Sequence, residues 1–245
     1  MIIEIDGRKC NCEKGEYLLD VAARNGIYIP TLCHNESLRG MAACRICSVE
    51  IETEAGGQVV SACVYPVESE IKVRTDSVKI KGQRRMLLSL LAAKAPESGI
   101  IRDRLQAEGG SLPERFIRLE GKKCILCGLC VQACEKVGSG AIGTFGRGTE
   151  KKVSTPYGDP SADCIGCSSC AAVCPTGAIA VSEEKDARTI WGKTFALVKC
   201  EKCGAAVGTR EELKRAAKIA GTEPPALCAE CRKKAVADVL AETYK

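Results

Sequence analysis

Aromatic residues, histidine and long apolar runs are scarce in this 245-residue chain. Aromatics make up 4% of it, which excludes a large aromatic core and leaves bound metal to supply much of the cross-linking. The single histidine, His34, excludes a Rieske centre, which needs two histidine ligands. The longest apolar run, near residues 86–93, is far too short to cross a bilayer, so no direct membrane insertion is expected.

Cysteine is abundant instead, with 18 residues. Their spacing is not that of a secreted disulfide scaffold, and the start MIIEID lacks the basic segment and apolar core of a signal peptide. A reducing cytoplasm suits so many thiolate ligands, so a cytoplasmic location is expected. Cys10 and Cys12 lie two apart on a predicted strand and are expected to pack together in a core.

Two cysteine runs in the middle of the chain have the spacing of a bacterial two-cluster ferredoxin. Both follow C-x2-C-x2-C-x3-C, and the second ends in Pro175. In that arrangement three close cysteines hold one [4Fe–4S] cluster and the fourth crosses to the other cluster. The first ferredoxin set is therefore predicted to be Cys124, Cys127, Cys130 and Cys174. The second ferredoxin set is predicted to be Cys164, Cys167, Cys170 and Cys134.

The N-terminal region combines predicted strands with one helix and a further cysteine group. Strands are predicted at residues 2–6, 8–12, 48–52 and 59–63, and a helix at 17–25 that ends at Gly26. The N-terminal set has the spacing C-x10-C-x2-C-x15-C and comprises Cys33, Cys44, Cys47 and Cys63. It keeps the close pair of the plant-type [2Fe–2S] pattern with a longer first loop. A strand pair, a helix and a cysteine-bearing loop follow the β-grasp order; a zinc site on a small sheet is the alternative.

Four more cysteines near the C-terminus form two C-x2-C steps. This C-terminal set comprises Cys200, Cys203, Cys228 and Cys231. Between the steps a helix is predicted at residues 209–218, with Thr209 as its cap and Glu212 three residues later, and a closing helix at 232–243. Paired C-x2-C steps favour a closed structural zinc site, and a further [4Fe–4S] cluster is the alternative because thiolates suit both.

The formal net charge of +5 omits the predicted metals. An iron–sulfur cluster or a zinc ion held by four thiolates carries about −2, so four such centres would bring the chain to roughly −3. The basic runs at residues 81–85 and 232–234 are short and typical of solvated helix faces. No nucleic-acid partner is therefore expected.

These motifs resemble a known family over residues 1–182. The resemblance is to the N-terminal part of the large iron–sulfur subunit of respiratory complex I, to iron-only hydrogenases and to the small diaphorase subunit of NAD-linked hydrogenases. It implies a one-electron conduit between a flavoprotein or NADH-dehydrogenase-like subunit and a catalytic subunit. The stretches that carry it are GEYLLD at 15–20, IPTLC at 29–33, ACRICSVE at 43–50, SACVYP at 61–66, and residues 124–148 and 164–179.

One cluster site that the resembling family often carries is missing. The pattern H-x3-C-x2-C-x5-C would lie between the two regions, yet residues 79–123 contain no histidine or cysteine. Helices are predicted there instead, at residues 81–95 and 100–107. This segment is expected to act as a spacer and docking surface. Without the relay, the [2Fe–2S] site is expected to be a terminal branch or a contact for another subunit.

The predicted fold class is α+β, with four segments. These are a β-grasp [2Fe–2S] ferredoxin domain, a helical spacer, a two-cluster bacterial-type ferredoxin domain and a small four-cysteine metal module, at residues 1–78, 79–120, 121–185 and 186–245. The expected cofactors are one [2Fe–2S] cluster, two [4Fe–4S] clusters and one zinc or a third [4Fe–4S] cluster.

The predicted function is electron transfer within a multi-subunit oxidoreductase, with a hydrogenase or formate dehydrogenase as the catalytic type. No nucleophile–base constellation or flavin-binding motif appears, so the chain is not expected to be catalytic alone. The alternative is the iron–sulfur subunit of a succinate dehydrogenase, fumarate reductase or other low-potential reductase complex. A self-contained iron-only hydrogenase would need a further cluster-bearing domain. A metal-bound interaction module would be redox-silent.

Overall fold

The computed structural model describes residues 1–54, 56–223 and 225–243 and forms two compact units. The first unit contains residues 1–132, 146–152 and 173–178. The second unit contains residues 133–145, 153–172 and the described residues from Ile179 onward. No helix among the described residues is long and apolar enough to cross a membrane.

A five-stranded sheet and one helix open the first unit. The elements are β1 (Ile2–Ile5), β2 (Arg8–Asn11), α1 (Leu18–Arg24), β3 (Ser48–Thr53), β4 (Gly56–Ser61) and β5 (Lys72–Arg74). The strand order is β2-β1-β5-β3-β4, with β1 and β5 parallel and the other pairs antiparallel. Apolar side chains of α1 pack on one face of the sheet, where Cys10 and Cys12 are also buried. The predicted strands and helix are found here, and β5 was not predicted.

Two helices complete the apolar core of the first unit. They are α2 (Val78–Lys94) and α3 (Gly99–Ala107). The hydroxyl of Ser77 caps α2 by accepting a hydrogen bond from the Ile80 amide at 3.3 Å, so the helix begins earlier than the pattern predicted. Leu88 and Ala92 of α2 pack with Ile101 of α3 in a second buried cluster, separate from the core beneath the sheet.

The helix α4 (Leu129–Lys136) begins in the first unit and ends in the second. Two short strands, β6 (Gly143–Phe145) and β7 (Lys152–Ser154), then pair, and the one-turn helix α5 (Ser169–Ala172) follows. A four-stranded antiparallel sheet comes next, formed by β8 (Val181–Glu184), β9 (Ala187–Ile190), β10 (Lys193–Lys199) and β11 (Ala206–Thr209). The sequence pattern predicted no strand in this stretch.

Two helices close the described part of the chain, α6 (Arg210–Ala220) and α7 (Ala229–Thr243). The predicted cap of α6 is confirmed. The Thr209 hydroxyl accepts a hydrogen bond from the Glu212 amide at 3.1 Å, and the Glu212 carboxylate accepts one from the Thr209 amide at 3.3 Å. The helix ends at Gly221, whose φ of 71° suits a left-handed cap.

Candidate iron–sulfur and metal sites

The N-terminal set converges beside the five-stranded sheet, and all four of its cysteines are buried. The sulfur atoms of Cys47 and Cys63 lie 3.3 Å apart, and the Cys44 amide donates to the sulfur of Cys33 at 3.4 Å. Hydrogen bonding within these pairs lowers the pKa of Cys44 to about 6 and that of Cys47 to about 7. The same pairing raises the pKa of Cys33 and of Cys63, so the protons of these two thiols must leave before all four cysteines can bind metal as thiolates.

The loop that presents the N-terminal set contains left-handed residues that are not glycine. Ala42 has φ of 48° and Arg45 has φ of 57°. The hydroxyl of Ser48 donates to the Arg45 carbonyl oxygen at 2.7 Å, which holds the turn between Cys44 and Cys47. Such strained positions persist where the surrounding structure determines them, and they are common at ligand sites. The loop conformation therefore fits a role in aiming thiols.

A buried arginine on α2 clamps the same loop. Arg84 is 5% exposed, and burial lowers the pKa of its guanidinium. Its Nε donates to the Ile46 carbonyl oxygen at 3.1 Å, and its Nη2 donates to the carbonyl oxygens of Ser48 and Thr75 at 3.0 and 2.8 Å. These bonds give one buried side chain three backbone acceptors in and beside the cysteine loop. The helix predicted as a spacer therefore also supports the N-terminal set.

The structure brings together all four members of the first ferredoxin set. Burial, followed by the neighbouring thiols, raises the pKa of Cys127 to about 11 and that of Cys130 to about 12, and Cys174 is among those neighbours in both cases. The Leu126 amide donates to the Cys124 sulfur at 3.4 Å, and the Ala178 amide donates to the Cys174 sulfur at 3.3 Å. Four neighbouring cysteines can be thiolates together only if a bound cation offsets their negative charge, so this arrangement fits a metal site.

The second ferredoxin set is assembled in the same crossed manner. All four of its cysteines, Cys134 included, line one small cavity of about 20 Å³. Burial raises the pKa of Cys164 and of Cys170, and Cys134 is one of the neighbouring thiols that adds to both shifts. The Ala141 amide donates to the Cys134 sulfur at 3.3 Å.

The two ferredoxin loops share one backbone conformation. The residue two after the first cysteine has a positive φ in each loop, 56° at Leu126 and 69° at Gly166. The residue directly after the second cysteine does as well, with 81° at Gly128 and 59° at Ser168. Two of these four positions carry a side chain in a region that favours glycine. The repeated strain indicates that both loops aim three thiols in the same way.

Each compact unit contains one complete ferredoxin set, as the crossed arrangement of ligands predicts. All of the first ferredoxin set lies in the first unit, and all of the second ferredoxin set lies in the second. Cys130 and Cys134 are four residues apart on α4, one helical turn, and each belongs to a different set.

The sheet β8–β11 packs against the loop of the second ferredoxin set. The sequence analysis did not predict this sheet. A Cβ atom at Gly166 would lie 2.7 Å from the Phe195 ring and 2.9 Å from Thr209, so the cluster loop packs directly on this sheet. Lys193 donates from its ammonium group to the carbonyl oxygens of Ser161, Ala162 and Cys164 at 3.2, 3.1 and 3.0 Å. The short, mixed-polarity strands gave no strong alternation from which to predict this sheet.

One apolar cluster joins the N-terminal set to the first ferredoxin set. Cys33 and Cys44 are buried in it together with Cys127. Side chains from α2, α3 and the adjoining loops fill the rest, namely Leu32, Ile46, Leu88, Ala92, Ala95, Ile101, Leu105, Ile125 and Leu129. A Cβ atom at Gly128 would lie 3.0 Å from the Met41 sulfur, so the two cysteine loops also touch. His34, which follows Cys33 in the sequence, lines a surface cavity with Cys63.

The C-terminal set is the most compact of the four. All its sulfur atoms lie within 4.8 Å of one another, and those of Cys203 and Cys228 are 3.6 Å apart. Gly204, with φ of 73°, donates its amide to the Cys200 carbonyl oxygen at 2.9 Å and closes the first C-x2-C turn. Backbone hydrogen bonding, chiefly from the Cys228 amide, lowers the pKa of Cys200 to about 6. Among the described residues, no other group of three or more potential ligands is this compact.

The free state of all 18 cysteines agrees with metal binding rather than disulfide bonding. The 2Fe-2S iron-sulfur cluster binding domain family matches residues 1–78. The 4Fe-4S dicluster domain family matches residues 123–178 and again residues 163–209. The chain thus has one domain of the first kind and a dicluster region of the second, as the cysteine spacing predicted.

Curated relatives extend the comparison across most of the chain. The NADPH-Fe(3+) oxidoreductase subunit alpha of Geobacter sulfurreducens is 32% identical over 225 residues, covering 82% of this chain. The chain spans only 26% of that relative's length. The NAD-reducing hydrogenase HoxS subunit gamma of Cupriavidus necator is 32% identical over 178 residues, covering 62% of this chain and 74% of that protein.

A solved structure shares the fold. It is the crystal structure of an NAD+-reducing [NiFe]-hydrogenase in its H2-reduced state, with a TM-score of 0.63 and 24% identity. The match covers 72% of this chain and 85% of the matched chain. Together with the two family matches and the relatives, this confirms the predicted resemblance. The chain belongs to the family of iron–sulfur electron-transfer subunits that includes the gamma subunit of NAD-reducing hydrogenase.

Proposed function

We propose that this chain passes single electrons between a flavoprotein or NADH-dehydrogenase-like subunit and a catalytic subunit of hydrogenase or formate dehydrogenase type, in the cytoplasm. The relatives named as subunits of NAD(P)H-linked enzymes support such partners. The proposal places a [2Fe–2S] cluster in the N-terminal set and a [4Fe–4S] cluster in each ferredoxin set. When bound, such clusters supply one-electron redox chemistry that no side chain provides.

The chain's own residues hold and shield these centres. Twelve cysteines would act as ligands, and the left-handed loop positions aim their sulfurs. Backbone amides of Leu126, Ala141 and Ala178 donate to ligand sulfurs, which stabilises negative charge there. Apolar side chains around Cys127 and Cys130 keep water away from the first ferredoxin set. The [2Fe–2S] domain at residues 1–78 would then be the entry point for electrons, and the helical segment at 79–120 would support it. The ferredoxin domain at 121–185 would relay the electrons, and the module at 186–245 would be a structural metal site at the end of the chain.

The main support for an electron path from the N-terminal set to the first ferredoxin set is the apolar cluster that contains Cys33, Cys44 and Cys127. The missing histidine–cysteine site predicted a branch position for the N-terminal set. The shared core favours a direct path instead, because cysteines of both sets are buried in one apolar cluster and a Cβ atom at Gly128 would lie only 3.0 Å from the Met41 sulfur. We therefore place the N-terminal set on the main electron path.

The C-terminal set would hold one zinc ion. In a tetrahedral site with Zn–S bonds of about 2.3 Å, neighbouring sulfurs are about 3.8 Å apart. The sulfur separations of this set, all within 4.8 Å, suit four thiolates on one ion. A [4Fe–4S] cluster would place each thiolate on a separate iron and spread them further. A closed four-cysteine zinc site is structural, which suits a set that joins β10 to α7.

The test of the electron path uses the intact complex purified with its partner subunits. The variant Cys47→Ser should remove the [2Fe–2S] cluster, and every electron-transfer activity of the complex should fall together. The control Cys12→Ser changes a buried cysteine outside the four sets and should leave activities near the wild-type level. Loss of activity with only one electron partner, while assembly stays intact, would restore the branch position and contradict the direct path.

A further inference from the structure

The only tryptophan of the chain faces the second ferredoxin set. Trp191 lies in the turn between β9 and β10, with φ of 53°, a conformation that a bulky residue rarely adopts. Its indole lines the cavity formed by Cys134, Cys164, Cys167 and Cys170. The indole nitrogen is buried and has no hydrogen-bond partner among the described residues. A buried N–H donor without an acceptor is rare, and it points to a group that the site is built to receive.

A second buried donor faces the same cavity. The hydroxyl oxygen of Ser168 is also buried without a hydrogen-bond partner in the described structure. Ser168 has a left-handed φ of 59° and directly follows Cys167. Both orphaned donors thus lie in one cavity with four thiols, and both are held there by strained backbone. Two such donors in one place need a common acceptor.

The cavity's chemistry identifies that acceptor as sulfur. Apart from the hydroxyl groups of Ser139 and Ser168, the side-chain acceptors of the lining are the four cysteine sulfurs. The remaining wall includes the apolar side chains of Ala141, Ile142, Ile165 and Ile190. Sulfur in this cavity would carry negative charge once a cluster is bound, and a buried N–H donor stabilises such charge. Lys193, two residues after Trp191 and fixed by three carbonyl oxygens, adds a positive charge on the same side.

We propose that Trp191 tunes the reduction potential of the cluster held by the second ferredoxin set, by donating its indole N–H to sulfur of that cluster. Ser168 acts as a second donor to cluster sulfur. Each reduction adds one negative charge to the cluster and its thiolates, and N–H···S and O–H···S bonds stabilise that charge. These donors make the cluster easier to reduce. The inference rests on the proposed function, because it requires a cluster at this site, and it goes beyond it by assigning a positioning residue.

The first test compares the full chain with Trp191→Phe by redox titration with dithionite, followed by EPR. Phenylalanine keeps the aromatic bulk but cannot donate. One four-iron signal should shift to more negative midpoint potential, and the other should not move. Ser168→Ala should shift the same signal in the same direction. The control Tyr157→Phe changes an aromatic residue that is 99% exposed and also has positive φ, and it should leave both midpoints unchanged. Equal midpoints in Trp191→Phe and the wild type would overturn the proposal.

A second measurement needs no substitution, so it remains decisive if Trp191→Phe fails to assemble. Because the chain has one tryptophan, indole labelled with ¹⁵N marks this site alone. Pulsed EPR of the reduced labelled protein should detect a ¹⁵N coupling to a four-iron signal. Four-iron signals without that coupling would overturn this inference and leave the proposed function standing. Iron-replete protein without any four-iron signal would overturn both.

Discussion

The guanidinium of Arg84 on α2 donates a hydrogen bond of 3.1 Å to the Ile46 carbonyl oxygen, inside the turn between Cys44 and Cys47. The same side chain reaches the carbonyl oxygens of Ser48 and Thr75. A helix that lies beyond the β-grasp strands therefore fixes the geometry of the N-terminal set. The helical segment cannot be regarded only as a spacer, because the cysteine turn depends on it.

Replacing Arg84 with methionine should destabilise the N-terminal set. The change removes three buried hydrogen bonds to backbone carbonyl oxygens and costs on the order of 3 kcal/mol. The [2Fe–2S] absorbance should bleach at a lower urea concentration than in the wild type. Arg85→Met is the matched control, since Arg85 is exposed on the next position of the same helix. Equal urea midpoints for the two variants would show that the clamp contributes little.

Replacing Gly166 with alanine should disrupt the second ferredoxin set. The added Cβ would lie 2.7 Å from the Phe195 ring, and alanine is disfavoured at the observed φ of 69°. The purified variant should lose up to about four irons per chain. The control Gly140→Ala also has a positive φ, 62°, but its Cβ would meet nothing within 4 Å, so it should retain its iron. If both variants lose iron equally, the backbone strain of alanine at a positive φ, and not the clash with Phe195, would be the cause of the iron loss.

The crossed arrangement predicts which cluster each remote cysteine supports. Cys174→Ala should damage the cluster held by Cys124, Cys127 and Cys130, and Cys134→Ala should damage the other one. EPR of the two variants should therefore lose complementary four-iron signals. If Cys174→Ala instead removes the signal that depends on Cys164, Cys167 and Cys170, the pairing of cysteines is wrong.

The C-terminal set predicts one zinc per chain. Elemental analysis should find about one zinc beside the iron, and Cys228→Ser should release the zinc while the iron content stays constant. The sulfur separations within 4.8 Å are the reason, because they suit one ion. About fourteen irons per chain and no zinc would assign this set to a further [4Fe–4S] cluster instead.

Cysteine spacing carried most of what the sequence could predict. Short spacings constrain local loops, so the sets around Cys44, Cys127 and Cys167 were visible as motifs. The cap at Thr209 was also predictable, because a capping box is a local pattern. The strand β5 and the sheet β8–β11 were missed because their strands have three to seven residues and weak alternation. Their existence depends on tertiary partners such as the Gly166 loop.

Long-range contacts account for the rest of the site. Nothing in the sequence around Arg84 indicates that its guanidinium reaches the turn at Ile46, since the two lie 38 residues apart. Likewise, Trp191 is remote in sequence from Cys134, and only the folded sheet brings it to the cavity of the second ferredoxin set. The shared apolar cluster of Cys33 and Cys127 could not be predicted either, and it is the reason that we propose a direct path in place of the expected branch position.

The most direct test of the electron-transfer assignment is low-temperature EPR of the reduced chain together with its iron count. The account predicts about ten irons, a two-iron signal that survives to higher temperature, and four-iron signals that broaden one another. The chain alone should oxidise neither NADH nor hydrogen, yet dithionite or a partner flavoprotein should reduce it. Iron-replete protein that shows no two-iron signal on reduction would contradict the account.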